Sequence, residues 1–142
     1  MSQFRPPLGR FSLELPAGLV DTNETPMAAA LRELREETGW TGTPPPDLDQ
    51  TNAHPGQDLA VDPGMTAARI GLVVVDVDLD LPENQNPQQE LDVGEYVTVH
   101  TVPWPKGGGV VQHVWELAAR LDADVDARLG AMLMALEFLA DR

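Results

Sequence analysis

Three glutamates crowd one short stretch, Arg32-Glu33-Leu34-Arg35-Glu36-Glu37-Thr38-Gly39-Trp40. On a helix Glu33 and Glu37 are four apart and Glu36 is three from Glu33, so all three carboxylates share a face. Like charges at this spacing destabilise a helix by roughly 0.2–0.5 kcal/mol per pair. Glu36 and Glu37 also precede the helix end, where the macrodipole disfavours anions by about 0.3–1 kcal/mol. A stretch that breaks two local rules together is most often serving a site. Clustered carboxylate oxygens suit hard cations, Mg²⁺ or Mn²⁺. The plainer alternative is a solvated acidic helix in which Arg32 and Arg35 form ordinary pairs three and four residues away.

The surrounding elements must hold this face in place. Thr25-Pro26 is a helix start, with Thr as N-cap and Pro at the first helical position. Met27, Leu31 and Leu34 recur at helical spacing over residues 26–38, and Gly39 is a C-cap glycine. Residues 3–9 contain two prolines and read as a strand end or turn. Phe11, Leu13 and Leu15 alternate with Arg10, Ser12 and Glu14, which predicts a half-buried strand. Residues 41–58 read as a long surface loop. Leu59-Ala60-Val61 is a candidate short strand, and valine-rich Arg69 to Leu79 is predicted as a buried strand. Pro82 to Glu90 reads as a polar loop, and Tyr96 to Val102 as a strand. Gly107 to Gly109 forms a joint before two predicted helices, Val111 to Leu121 and Val125 to Ala140. The second carries Val125, Leu129, Met132, Leu133, Leu136 and Leu139 on one stripe. Strands with helices on their faces make an α/β or α+β domain, and 142 residues suffice for one core, residues 1–142.

Nine Lys and Arg against 23 Asp and Glu leave a formal net charge of −14. A field of that sign repels phosphate backbones, so nucleic acid and anionic membranes are poor partners. An anionic substrate would need bridging cations. The protein has no cysteine, which excludes disulfides, thiolate metal sites and a Cys nucleophile. The longest apolar run, Ile70 to Val75, is far too short to span a bilayer, and the first residues lack an apolar secretion core. A soluble intracellular protein is the expectation.

Other chemistry-bearing residues carry less. Asp76, Asp78 and Asp80 lack the glycine and glutamate of a calcium loop, and a solvent-facing strand accounts for them. His54, His100 and His113 have no metal-ligand spacing and read as surface or satisfied histidines. Trp40 reads as packed, Trp104 as a loop anchor and Trp115 as core. Met132 and Met134 belong to a core or dimer surface.

The whole spacing is Gly18, five residues, Glu24, seven residues, then Arg32 to Trp40. It matches without departure the signature of the Nudix hydrolases, a box over residues 18–40. The resemblance implies an α/β/α sandwich whose loop and helix bind divalent cations, Mg²⁺ or Mn²⁺. It further implies hydrolysis of a nucleoside diphosphate linked to another group. Glu33, Glu36 and Glu37 would then be metal ligands, with Glu36 and Glu37 in the catalytic machinery. Arg32 would hold helix and loop together through Glu24, and Gly39 would close the box.

The stretches around Leu15-Pro16-Ala17-Gly18-Leu19, Gln3-Phe4-Arg5-Pro6-Pro7, Asp62-Pro63-Gly64-Met65 and Val125-Asp126-Ala127-Arg128 resemble the eukaryotic ADP-ribose and ADP-sugar pyrophosphatase branch. That resemblance implies cleavage of ADP-ribose or a related nucleoside diphosphate sugar to AMP and a sugar phosphate, by a homodimer of the cytoplasm and nucleus. The Ala17 carbonyl would be a further metal ligand, and Arg5, Gly18 and Leu19 would contact substrate. Glu95 would be the general base, against a plainer reading as a turn residue before a strand. Only 17 residues precede Gly18 where the branch has more strands. The mixed sheet is therefore expected to be short of N-terminal strands, as in a shortened form. The alternatives are another Nudix activity, on oxidised nucleotides or dinucleoside polyphosphates, or a non-catalytic dimerising fragment.

Overall fold

The helix that carries the glutamates is the best-defined element. In the computed structural model, which describes residues 1–46, 58–104 and 108–140, it runs Pro26–Thr38 and is called α1. Thr25 caps it through a side-chain oxygen that accepts from the Ala28 N–H, and Gly39 ends it in the left-handed region at φ 77°. Both boundaries are those predicted. Ala29, Glu37 and Thr38 are its buried residues, while Met27, Leu31 and Leu34 are only partly covered.

The protein divides into two compact units. The first comprises Met1–Leu15 and Leu91–Arg142. Within it β1 (Ser2–Arg5) and β2 (Arg10–Leu13) form an antiparallel hairpin across the Pro6–Gly9 turn. β5 (Val97–Thr98) adds to β1 antiparallel, and β6 (Ala123–Val125) adds to β2 parallel. The sheet order is β5-β1-β2-β6, a mixed sheet of four strands. Helices α2 (Val110–Leu121) and α3 (Ala127–Ala140) supply Val110, Val114, Ala118, Leu129 and Leu133, which close over Leu13 as the core.

The second unit, Pro16–Glu90, contains α1, the short pair β3 (Leu59–Ala60) and β4 (Arg69–Ile70), and a 3₁₀ turn at Pro82–Asn84. An isolated bridge joins Thr43 to Asp76. Asn84, 4% exposed, ties this unit together. Its Oδ1 accepts from the Thr41 N–H, and its Nδ2 donates to the Thr41 and Asp78 carbonyls.

Several expectations need correction. Arg69 to Leu79 is not one buried strand: only Arg69–Ile70 forms a strand, Asp76 makes an isolated bridge, and Leu72, Val74 and Leu79 are exposed. Valine enrichment makes a strand only where a partner edge satisfies the backbone, and among the described residues that edge is just two residues long. Tyr96 to Val102 shortens to Val97–Thr98 for the same reason. Val125 does not begin the last helix but ends β6, drawn into the sheet by pairing with Leu13. Leu136 and Leu139, expected on the buried stripe, are exposed, and so is Trp115, expected in the core. Ser12 and Glu14, expected on a solvent face, are buried along with Leu13. Asp76, Asp78 and Asp80 are exposed as expected. His54, Gly107 and most of the predicted 41–58 loop lie outside the described residues.

Candidate functional site

Helical spacing brings the acidic residues to one face, and Arg32 organises them. Its Nε and Nη2 donate to the two oxygens of Glu24 at 3.0 and 2.9 Å. Its Nη1 donates to Glu33 Oε1 at 2.6 Å and to Glu36 Oε2 at 3.0 Å. Nη2 also reaches the Leu19 carbonyl at 2.8 Å, which ties the preceding loop to the helix. Glu24 accepts from the Asp21 N–H as well. The hydrogen bonds from Arg32, then that from Asp21, hold the Glu24 carboxyl below its ordinary value. Glu24, Glu33 and Glu36 in turn raise the guanidinium, which stays charged at any working pH.

Gly18 lies against Glu33. A methyl group on Gly18 would overlap the Glu33 carboxylate, so only glycine lets backbone and carboxylate approach this closely. Ala17 meets Glu37, the most buried carboxylate at 2% exposure, whose Oε2 accepts the Ala17 N–H at 2.9 Å. The structure thus brings together Ala17, Gly18, Leu19, Glu24, Arg32, Glu33, Glu36 and Glu37.

Two predicted residues lie in the other unit. Arg5 grips Glu14 through two bonds, Nε to Oε1 at 2.7 Å and Nη2 to Oε2 at 2.5 Å. Burial raises the Glu14 carboxyl, but its bonds with Arg5 and Ser12 outweigh that and leave it below the ordinary value. Glu95 closes the turn from Asp92, with its N–H on the Asp92 carbonyl and its Oε2 accepting the Asp92 N–H. His100 and His113 are satisfied by Ser2 Oγ and the Gly109 carbonyl.

Sequence reasoning missed Glu14, Asn84 and the segment Gln88–Glu90. Glu14 sat in an alternating pattern that placed it outside, and no spacing distinguishes a buried clamp such as Asn84. The Gln88–Glu90 segment meets the helix end from some fifty residues away, which a local pattern does not record.

The donor set is all oxygen, which suits a hard cation and no soft one. Glu33 and Glu36 already converge on one cationic group, Arg32 Nη1. Among the described residues no three such side chains stand together as a finished cage, and Glu37 faces the Ala17 N–H. The chemistry fits a divalent cation held by side chains on one helix face.

The NUDIX domain profile matches residues 1–114. The protein belongs to the Nudix family. The mixed sheet and three helices are those expected of the Nudix fold. An uncharacterized Nudix hydrolase of Schizosaccharomyces pombe is 52% identical over 95 residues, 67% of this chain and 42% of that protein. An ADP-ribose pyrophosphatase of Saccharomyces cerevisiae is 36% identical over 136 residues, 96% of this chain and 55% of the relative. An ADP-sugar pyrophosphatase of Mus musculus is 34% identical over 137 residues, 96% of this chain and 58% of the relative. The protein thus spans about half the length of these relatives. Nudix hydrolases generally use divalent cations. No helix among the described residues is long and apolar enough to cross a membrane.

Proposed function

We propose that this protein hydrolyses the diphosphate bond of ADP-ribose or a related ADP-sugar, with Mg²⁺ as the divalent cation. The observation that carries the reading is Arg32, which holds Glu24, Glu33, Glu36 and the Leu19 carbonyl in one network. The names of the yeast and mouse relatives, similar over nearly all of this sequence, support the substrate class.

Glu33, Glu36, Glu37 and the Ala17 carbonyl would hold the cation. When bound, it offsets the charge of a diphosphate that a protein of net charge −14 would repel and polarises the P–O bonds. Arg32 keeps the loop and helix in register without touching substrate. Gly18, Leu19 and Arg5 would contact the substrate. Glu95 would take one proton from the attacking water. The water oxygen bonds to one phosphorus and keeps the second proton, the bridging P–O bond breaks with its electron pair going to the leaving phosphate, and AMP and ribose 5-phosphate result.

The test is product analysis with the whole protein, ADP-ribose and Mg²⁺, alongside Glu37→Gln. AMP and ribose 5-phosphate should appear with the parent, and the variant should lose about 10²-fold or more of the rate, as for a displaced reacting group. No product from a folded parent, or equal rates from both, would overturn the proposal.

A further inference from the structure

The last carbonyls of a helix have no partner within it. In α1 two of them are met by a segment far along the sequence. The Glu90 N–H donates to the Glu36 carbonyl at 2.8 Å, and Gln89 Nε2 donates to the Glu37 carbonyl at 2.6 Å. Arg35 Nη2 and Glu90 Oε1 pair at 2.7 Å beside them. Gly39 permits the approach, because the Gln88 carbonyl carbon and oxygen would lie 2.7 and 2.8 Å from any Cβ placed there. The residues so clamped are the two glutamates at the helix end. Glu37 is held at both ends, its carbonyl by Gln89 and its carboxylate by the Ala17 N–H.

We propose that Gln89 is a positioning residue for the cation-binding carboxylates, acting through the Glu37 backbone. The inference rests on the cation role assigned above to Glu33, Glu36 and Glu37. The Gln89 amide puts positive N–H density at the negative end of the helix, next to two carboxylates that the dipole disfavours. It also stops the last turn from fraying, a motion that would shift Glu37 relative to Glu33 four residues earlier. Glu90 contributes a backbone N–H that its side chain does not control. Gln89 is therefore the side chain by which this segment bonds the Glu37 backbone directly, whereas the Glu90 side chain reaches only the exposed Arg35.

The experiment is Mn²⁺ binding to the whole protein, read by electron paramagnetic resonance, with thermal melting in parallel. Gln89→Met keeps the length and removes the donor without adding a charge; Gln89→Ala removes both. Each should weaken Mn²⁺ affinity about 10-fold, while Gln89→Met melts within a few degrees of the parent. Glu90→Gln, which keeps its backbone N–H, should bind Mn²⁺ within about twofold of the parent. Parent-like Mn²⁺ affinity in both Gln89 variants would overturn the positioning role and leave the cation reading intact. Absence of a specific Mn²⁺ site in the parent would overturn the cation reading and this inference with it. Loss of fold in Gln89→Met would also overturn it, since the residue would then be structural.

Discussion

Replacing Gly18 with alanine separates the site from the fold. Gly18 is not in the left-handed region, so its backbone accepts a side chain without strain. The obstacle is the Glu33 carboxylate, which must withdraw by at least about 1 Å before a methyl group fits. That end of the side chain is flexible, so the withdrawal costs little. It forfeits the bond that Glu33 accepts from Arg32, a partly exposed pair worth at most about 1 kcal/mol. The methyl group returns about 0.4–1 kcal/mol by restricting the unfolded state. The two terms nearly cancel, and melting should hardly move. Function should move a great deal, because a misplacement of about 1 Å at a reacting centre can cost 10²-fold. The assay pairs Mn²⁺ binding and ADP-ribose turnover with a melting curve. Gly71→Ala is the control, since a methyl group there meets nothing within 4 Å. A folded Gly18→Ala protein with parent-like Mn²⁺ affinity and turnover would refute the reasoning, because Glu33 would then not need its position against Gly18.

Gly39→Ala should instead destabilise by at least about 1–2 kcal/mol, the cost of a left-handed L-residue, and more through the Gln88 backbone; a chemical denaturation midpoint checks it. Asn84→Ala should cost about 1–3 kcal/mol, because it leaves the Thr41 N–H and the Thr41 and Asp78 carbonyls without their partner; an unchanged denaturation midpoint would show that water replaces the amide. Arg5→Ala should cost about 1–3 kcal/mol at neutral pH by leaving Glu14 buried without its cation. The pH dependence has a definite sign. The folded Glu14 carboxyl lies below its ordinary 4.5, so its contribution is complete above that pH and fades as pH falls through the folded value. The melting gap between parent and Arg5→Ala should therefore narrow on acidification, and a gap that widens would contradict the pairing.

The helix Pro26–Thr38 and both its caps were legible in the sequence to the residue. Thr25, Pro26 and Gly39 act on their nearest neighbours, and helical spacing alone puts Glu33, Glu36 and Glu37 on one face. The hairpin was legible only in part: residues 3–9 read as a strand end or turn, whereas Ser2–Arg5 is a strand that pairs with Arg10–Leu13. What failed were judgements that depend on a partner strand. Arg69 to Leu79 has valines enough for a long strand, yet forms a two-residue strand and one isolated bridge, because its partners extend no further. Val125 has a helical pattern on one side but joins the sheet through Leu13, more than a hundred residues earlier. Glu14 alternates like a surface residue and becomes buried because Arg5 meets its charge. The sequence by itself determined the acidic helix, its two ends and the arginine that gathers Glu33 and Glu36. Each rests on short-range geometry that the polypeptide cannot avoid. Only the tertiary structure decided that Glu37 turns to Ala17, that Gln89 and Glu90 close the helix end, and that Asn84 ties its own turn to Thr41. Some of those bonds join segments more than fifty residues apart, and their existence depends on how the intervening residues pack, which no local spacing records.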